Sequence, residues 1–211
     1  MPLYKEWTTP NDSLAAIWKI EEPEAFFTER TGITSDIKSE KRRLEFLAGR
    51  FLLKHLEEDF PLFHIHKDEH DKPRLHDNAY YFSISHSWPY VAVEISDEEE
   101  CGIDIQTFRP RMLELQHKFL SEDEQGYFNN DEQLLALAWC AKEAAYKWQG
   151  KRGVEFIDHL PITYSQKIKS VYNMTIYLKL TDPPKMLAIE GIINEEFACA
   201  YVTDAQHWVI Y

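Results

Sequence analysis

The chain has 211 residues, of which 44% are hydrophobic and 14% aromatic, so it has enough apolar area for a folded core. Its 23 Lys and Arg against 36 Asp and Glu give a net charge of -13. A general nucleic-acid binder normally carries a basic surface, so the charge disfavours that class. The length fits one large domain or two small ones.

Several common functional motifs are missing from the sequence. It has only 7 Gly and contains neither GxGxxG nor GxxxxGK[ST], the usual nucleotide-binding loops. Its 3 Cys are far apart and form no CxxC pair for zinc, redox or disulfide chemistry. The first residues lack an apolar signal core, and no apolar run approaches the ~20 residues of a membrane span. We therefore expect a reduced, soluble, cytoplasmic protein that does not bind a membrane.

The patterns of the first half predict a mixture of strands and helices. In chain order they predict a strand, a short helix, a long helix, a turn-rich loop and three short strands, at 13–22, 23–30, 36–58, 70–78, 79–87, 90–96 and 102–106.

The second half repeats this order of elements. It predicts a helix, a second long helix and four strands, at 111–128, 131–149, 174–180, 186–194, 197–203 and 207–211. A long helix followed by strands in each half predicts two similar α+β halves with a cleft between them.

The strand at 102–106, GIDIQ, carries an unusual carboxylate. Alternation places Asp104 and Gln106 on one face and Ile103 and Ile105 on the other. An ordinary half-buried strand whose polar face meets water also explains this pattern.

The helix at 131–149 is apolar over most of its circumference, which predicts that it is largely buried. A narrow strip carries Glu143 and Lys147 beside Ala136, Cys140 and Ala144. An exposed Glu–Lys pair is one reading and contributes only about 0.3–0.5 kcal/mol. The small residues favour another reading, in which a neighbouring segment packs closely on this strip.

A basic segment at 38–54 holds six basic residues against two acids, and is either an anion site or a solvated helix face. A strand Asp, a helix Glu and nearby cations suit magnesium and phosphate chemistry without a glycine-rich loop. The residues that could neutralise phosphates are Lys142, Lys147, Lys151 and Arg152.

Five segments together resemble a known family. GIDIQ, followed by WCAKEAAYK, looks like the paired signature of the 4′-phosphopantetheinyl transferases. Three further segments, KRRLEFLAGR (41–50), DKPRL (71–75) and FSISHS (82–87), occur in the expected order. The match is to the larger, single-chain type that activates surfactin synthetase and enterobactin synthetase, and it covers about residues 38–153.

The resemblance implies an α+β pseudo-dimer of two similar halves, 1–104 and 105–211, each a long helix on a small antiparallel sheet. It implies an active site and bound coenzyme A in the cleft between the halves. The implied reaction is magnesium-dependent transfer of phosphopantetheine from coenzyme A to a serine of an apo acyl or peptidyl carrier protein, with release of adenosine 3′,5′-bisphosphate. The implied state is a monomer.

The resemblance also implies roles for individual residues. Asp104 and Glu143 would hold magnesium and, with Lys142, would be catalytic. Lys142 and Lys147 would meet the phosphates. Many members carry a second acid where this chain has Gln106, so the third magnesium ligand is either the Gln106 amide or water.

The coenzyme A phosphates would contact residues of the first half. The resemblance assigns them to Ser85, His86 and Lys72, and the 3′-phosphate to one of Arg42, Arg43 and Arg50. Alternatively, His86 is a strand-end histidine and Arg42 and Arg43 belong to a solvated helix face.

Two other functions fit parts of this pattern. One is a magnesium-dependent nucleotide or coenzyme A pyrophosphatase that uses the same carboxylates and lysines. The other is a non-catalytic coenzyme A or carrier-protein binding protein. The presence of Asp104, Lys142 and Glu143 argues against the second, because a pure binder has no need of the metal pair.

Overall fold

The computed structural model describes residues 2–77 and 79–207. The chain divides into two compact units, Met1–Cys101 and Gly102–Tyr211. The division falls shortly before the boundary expected after Asp104, so the whole GIDIQ strand belongs to the second unit. Each unit combines helices with an antiparallel sheet, which confirms the predicted α+β class.

The elements of the first unit are, in chain order, β1 (Leu3–Thr8), β2 (Leu14–Lys19), α1 (Glu24–Thr31), α2 (Glu40–Leu56), a 3₁₀ turn (Leu62–His64), β3 (His66–Lys67), β4 (Pro73–Arg74), β5 (Tyr81–Ser87) and β6 (Tyr90–Ser96). Four strands form an antiparallel sheet in the order β1-β2-β6-β5, and β3 pairs with β4.

Helix α2 forms the core of the first unit with this sheet. Leu44, Leu47 and Leu52 recur at helical spacing and are buried, as are Val91 and Val93 of β6. An apolar stripe of this kind packs on a sheet because burial of each large side chain contributes roughly 1.5–3 kcal/mol.

The elements of the second unit are, in chain order, β7 (Ile103–Thr107), α3 (Met112–Leu115), a 3₁₀ turn (Gln116–Lys118), α4 (Glu122–Phe128), α5 (Glu132–Gln149), α6 (Phe156–His159), β8 (Ile162–Ile168), β9 (Val171–Leu178), β10 (Lys185–Ile193) and β11 (Phe197–His207). Its antiparallel sheet has the order β7-β11-β10-β9-β8.

Helix α5 begins and ends where its sequence dictates. The Asp131 side chain accepts hydrogen bonds from the backbone N–H groups of Gln133 and Leu134, and Gly150 ends the helix in the left-handed conformation. Between these caps most of the helix surface is buried, as its apolar circumference predicts. The helix packs in one core with β7, β10 and β11.

Some predicted elements were wrong or missing. The single helix predicted at 111–128 is wrong, because a capping box at Ser121 and Glu124 starts a separate helix, α4. Strands β1, β3, β4 and β8 and helix α6 were not predicted. The strand predicted at 207–211 lies, apart from its first residue, outside the described residues.

A membrane-crossing helix is not found in the described part of the chain, where every helix is too short or too polar.

Strand β7 enters the second unit in unusually close contact with α5. A Cβ atom added at Gly102 would lie 2.2 Å from the backbone oxygen of Ala144 and 2.8 Å from the Cβ of Trp148. No side chain fits at these distances, so the glycine before the strand allows β7 to approach the helix. This contact is the close packing that the small residues of the α5 strip indicate.

We therefore expect Gly102→Ala to destabilise the protein by about 2–4 kcal/mol, since the strand must shift away from backbone atoms that cannot move aside. Chemical denaturation measures this cost. The control is Gly126→Ala, because Gly126 lies within α4 and its added Cβ meets no atom within 4 Å. The control should be neutral or stabilising by up to about 1 kcal/mol. A neutral effect of Gly102→Ala would contradict the close-packing argument.

Candidate active site

Asp104 is held on a rigid edge strand. It pairs with Ala200 of β11, and its neighbours Ile103 and Ile105 are fully buried. Asp104 itself is only 6% exposed. A carboxylate is rarely buried to this extent unless it has a partner. The polar face of β7 is therefore largely shielded from water at Asp104.

One face of α5 surrounds this carboxylate. The Lys147 ammonium donates to Asp104 Oδ1 at 2.7 Å and to the backbone oxygen of Ile103 at 3.0 Å. The Cys140 thiol is hydrogen-bonded with Asp104 and lies 3.4 Å from the backbone oxygen of Ala198. Burial, followed by the negative charge of Asp104, raises the pKa of this thiol well above its usual value. Because residues 140, 143 and 147 share a helical face, Glu143 is brought to the same place.

Glu143 is the least satisfied group of this cluster. Burial and then the charge of Asp104 raise its pKa to about 7, while Lys147 acts in the opposite direction. Within the described residues Glu143 forms neither a hydrogen bond nor an ion pair, whereas Lys147 pairs with Asp104. The alternative of an exposed Glu143–Lys147 pair is therefore wrong. A positive charge beside Glu143 would therefore be stabilised.

The donor set fits a magnesium ion. Mg²⁺ typically takes one or two protein carboxylates and completes its shell with phosphate and water oxygens. Asp104 and Glu143 supply two such groups. Among the described residues, no group of three or more His, Cys, Asp or Glu side chains is arranged to hold a metal. Any such ion would therefore depend on Gln106, water or substrate for its remaining ligands.

Gln106 lies two residues along the strand from Asp104 and pairs with Ala198. Its amide nitrogen donates to the backbone oxygen of Thr107 at 2.8 Å. Strand alternation puts its side chain on the Asp104 face. Gln106 thus has a contact with the local backbone, and its role as a magnesium ligand stays a prediction.

Lys142, the residue before Glu143, has a separate set of partners. Its ammonium lies 2.5 Å from Glu124 Oε1 and donates to the backbone oxygen of Phe156 at 3.1 Å. Burial lowers the pKa of Lys142, and the Glu124 carboxylate opposes that shift. Glu124 also accepts from the backbone N–H groups of Ser121 and Ile162, both at 2.8 Å. The pair therefore joins α4, α5, α6 and β8.

A cavity of about 800 Å³ opens beside Trp139, one turn before Glu143 on α5. Its walls are mainly apolar, and Lys118, Glu155 and Asp158 add charged groups. Such a mixture suits a flexible, mostly apolar ligand with a few polar groups.

The three arginines of α2 differ in their surroundings. Arg43 is engaged, because its Nε lies 2.7 Å from Glu24 Oε2 and it donates to the backbone oxygen of Ile37 at 2.6 Å. Arg42 is exposed. Burial lowers the pKa of Arg50 to about 10, and its guanidinium lies 4.1 Å from the ring centre of Phe46.

Lys72 belongs to a network at the β3–β4 hairpin. Its ammonium lies 2.6 Å from Glu100 Oε2, and Arg74 contacts the other oxygen of Glu100. Arg74 is also 3.3 Å from Asp68, whose carboxylate accepts from two backbone N–H groups of the turn. Burial lowers the pKa of Lys72, while Glu100 acts in the opposite direction.

Ser85 and His86 point to opposite faces of β5. Ser85 is buried, whereas the His86 side chain is 54% exposed. Nδ1 of His86 lies 3.2 Å from Oε2 of Glu45, a carboxylate of α2 that is itself buried.

The structure therefore brings Asp104, Glu143 and Lys147 together within the second unit, while Lys142 contacts other partners there. The predicted coenzyme A residues Arg42, Arg43, Arg50, Lys72, Ser85 and His86 all belong to the first unit.

Sequence reasoning missed three polar residues with clear contacts. Glu124 had a signal, because Ser121-x-x-Glu124 is a capping box pattern. Glu45 lay within an apolar helical stripe, where a carboxylate demands a partner. Cys140 was noted only as a small residue.

Comparison with known proteins identifies related sequences. Residues 100–202 match the family model described as the 4′-phosphopantetheinyl transferase superfamily. The 4′-phosphopantetheinyl transferase AcpT of Escherichia coli O157:H7 is 32% identical over 127 residues, 56% of this chain and 64% of that protein. AcpT of Salmonella typhimurium is 36% identical over 117 residues, 52% of this chain and 60% of that protein.

A putative 4′-phosphopantetheinyl transferase of Haemophilus influenzae is 31% identical over 129 residues, 57% of this chain and 55% of that protein. In each case the chain spans less than two thirds of the length of the relative it matches.

The raised pKa of Glu143 predicts how stability depends on pH when divalent metal is absent. The pKa is about 7 in the folded state and 4.5 for an ordinary glutamate, so the folded state binds the proton more tightly. Its contribution is present below pH 4.5 and is lost as the pH rises through about 7.

Glu143→Gln removes this ionisation. The variant should therefore gain about 1–3 kcal/mol over the wild type between pH 4.5 and 8, measured by denaturation in EDTA. Glu195→Gln, which removes an exposed carboxylate from the same unit, should show no such pH-dependent gain. A constant difference between Glu143→Gln and wild type across this range would contradict the raised pKa.

The buried Lys142–Glu124 pair predicts strong coupling in stability. Lys142→Met or Glu124→Gln alone should cost about 3–5 kcal/mol, since each leaves the other group buried without its counter-charge. The double variant should cost less than the sum of the single losses, as measured by urea denaturation. Lys67→Met is the control, because the Lys67–Asp71 pair is exposed at 3.9 Å and should contribute at most about 1 kcal/mol. Additive single losses would rule out the coupling.

Proposed function

Because residues 100–202 match the family model of the 4′-phosphopantetheinyl transferase superfamily, we propose that the chain transfers the phosphopantetheine arm of coenzyme A to a serine of an apo carrier protein. Adenosine 3′,5′-bisphosphate is the second product. The observation that carries the proposal is the pairing of Asp104 with Lys147 beside the half-buried Glu143, inside the segment that matches the family model.

Asp104 and Glu143 are the proposed magnesium ligands, with Gln106 or water as a further ligand. Lys147 pairs with Asp104, and Glu143 has no ion-pair partner among the described residues, which supports a cation at this place. Bound magnesium would supply positive charge to the pyrophosphate oxygens around the bond that breaks.

The chain's own residues orient and polarise the reactants. The carrier serine oxygen attacks the phosphorus that bears the pantetheine arm, and the bond from that phosphorus to the bridging oxygen breaks. The serine proton passes to a base, and the electron pair leaves with the bisphosphate. Glu143 is the proposed base, since a pKa of about 7 suits proton transfer near neutral pH.

Lysine charge would stabilise the leaving phosphates. Lys147 is the better supported candidate, because its ammonium already lies in the carboxylate cluster. Lys142 stays a candidate, although Glu124 holds its ammonium in a buried pair. To affect the reaction, Lys142 would either leave Glu124 and contact the phosphates or act indirectly by holding α5 in position.

We propose that the first unit binds the nucleotide end of coenzyme A, with Ser85, His86 and Lys72 at the phosphates. Of the three arginines, Arg50 suits the 3′-phosphate best. It is largely desolvated and has no carboxylate partner among the described residues, whereas Arg43 already pairs with Glu24. An incoming phosphate would restore the hydrogen bonds that burial removes.

The cavity beside Trp139 is the proposed place of the pantetheine arm. The arm is a flexible chain of methylene and methyl groups with two amides and a thiol, which matches apolar walls with a charged rim. The basic segment 38–54 is proposed to attract the carrier, because carrier proteins are usually acidic.

The remaining parts of the proposal concern the whole molecule. We propose that the two units are similar α+β halves and that the chain acts as a cytoplasmic monomer.

Mass spectrometry of a carrier protein tests the proposed function. The wild type, incubated with coenzyme A, magnesium and an apo-carrier, should add the phosphopantetheine mass to the carrier. Asp104→Asn should lower kcat/KM at limiting magnesium by at least about a hundredfold, because a metal ligand is lost. The control is Glu195→Gln, which should keep wild-type activity.

The alternatives give different outcomes in the same assay. Release of free phosphopantetheine without modification of the carrier would indicate a pyrophosphatase. Binding of coenzyme A or carrier without either reaction would indicate a non-catalytic protein. Either result, obtained with several carriers, would overturn the proposed transferase.

A further inference from the structure

A buried carboxylate on α2 contacts the exposed histidine of β5. Glu45 is only 7% exposed and lies in a helix whose neighbouring stripe is apolar. Its Oε2 is 3.2 Å from Nδ1 of His86, and His86 is its one polar partner within the described residues. Burial of a carboxylate is costly, so a lone partner at the surface needs an explanation.

The backbone of α2 brings the two side chains together. A Cβ atom added at Gly49 would lie 3.1 Å from Cγ2 of Ile84, so helix and strand approach closely there. Glu45 lies one turn before Gly49 on the helix, and His86 lies two residues after Ile84 on the same strand face. The contact is therefore fixed by two regular elements and not by a mobile loop.

The contact fixes which ring nitrogen is left for a ligand. Nδ1 of His86 is the nitrogen that lies next to the Glu45 carboxylate, so Nε2 is the one directed away from it. An N–H at Nε2 can donate to a phosphate oxygen, and the carboxylate next to Nδ1 holds the ring in that orientation.

We propose that Glu45 is a positioning residue that orients His86 toward a phosphate of coenzyme A. This inference rests on the proposed function, which puts His86 at the coenzyme A phosphates. Glu45 acts through His86 and does not touch the substrate. If His86 bound no ligand, burial of the Glu45 carboxylate would destabilise the fold without serving any function.

The experiment is a double-mutant cycle in coenzyme A recognition. Glu45→Gln keeps the shape but replaces the charged, acceptor-only carboxylate by a neutral amide that can accept or donate, and His86→Ala removes the ring. Each should raise the KM and the dissociation constant for coenzyme A about tenfold, with kcat changed less than about twofold. The double variant should equal His86→Ala alone, because Glu45 has no other route to the substrate. Additive losses, or no change in KM with Glu45→Gln, would overturn the proposal.

The matched control is Glu29→Gln, which removes the same charge from an exposed position of α1 in the same unit. It should leave the KM for coenzyme A unchanged, since it does not contact His86. An equal rise in KM with Glu29→Gln would show that the net charge of the unit matters and Glu45 does not.

Nitrogen NMR of the wild-type histidine ring does not depend on the folding of any variant. Neutral His86 should carry its proton on Nδ1, and adenosine 3′,5′-bisphosphate should shift its ring-nitrogen resonances. A proton on Nε2 in the neutral ring would contradict the proposal, as would ring-nitrogen resonances that do not shift when the bisphosphate is added.

The outcome is separable from the test of the proposed function. Failure of wild-type carrier modification would reject the transferase, whereas the coenzyme A dissociation constants and ring-nitrogen shifts would still judge Glu45. Normal carrier modification together with an unaffected Glu45→Gln variant would reject the positioning role alone.

Discussion

The close approach of β7 to α5 at Gly102 is the constraint on which the candidate active site depends. A side chain there would collide with the backbone of Ala144, so only a glycine lets the strand reach the helix. Beyond that point Asp104 meets Lys147 at 2.7 Å and influences the ionisation of Glu143. The packing of Gly102 against α5 therefore determines the strength of the interactions among these three charged groups. Coulomb interactions weaken rapidly once charges separate into water.

The buried Lys142–Glu124 pair holds the other side of the same helix. It joins the α4 capping box, the start of α6 and the start of β8 to α5 at one point. Such a pair adds little net stability compared with apolar residues, but it strongly disfavours arrangements that separate its members. We infer that the Lys142–Glu124 pair fixes the rotation of α5 about its axis. This rotation determines whether Glu143 faces Asp104.

The local patterns predicted much of this arrangement. Helix α5 follows from its apolar circumference and its caps, and strand β7 follows from alternation around Asp104. The sequence could not reveal that Lys142 and Lys147, five residues apart, serve different partners, because Glu124 is brought to Lys142 by tertiary packing. The same holds for Glu45 and His86, which lie on separate elements. Strand β8 was missed because most of its residues are exposed and show no clear alternation.

Each unit holds a buried carboxylate close to a basic side chain, but the surroundings differ. Glu45 contacts one imidazole, and Glu124 pairs with one ammonium. At the candidate active site Lys147 pairs with Asp104, and Glu143 has no ion-pair partner among the described residues. An unpaired carboxylate in such surroundings lowers the stability of the fold, and it is typical of sites where a bound ligand neutralises the charge. The absence of an ion-pair partner for Glu143 among the described residues distinguishes the candidate active site from the ion pairs that hold the fold together.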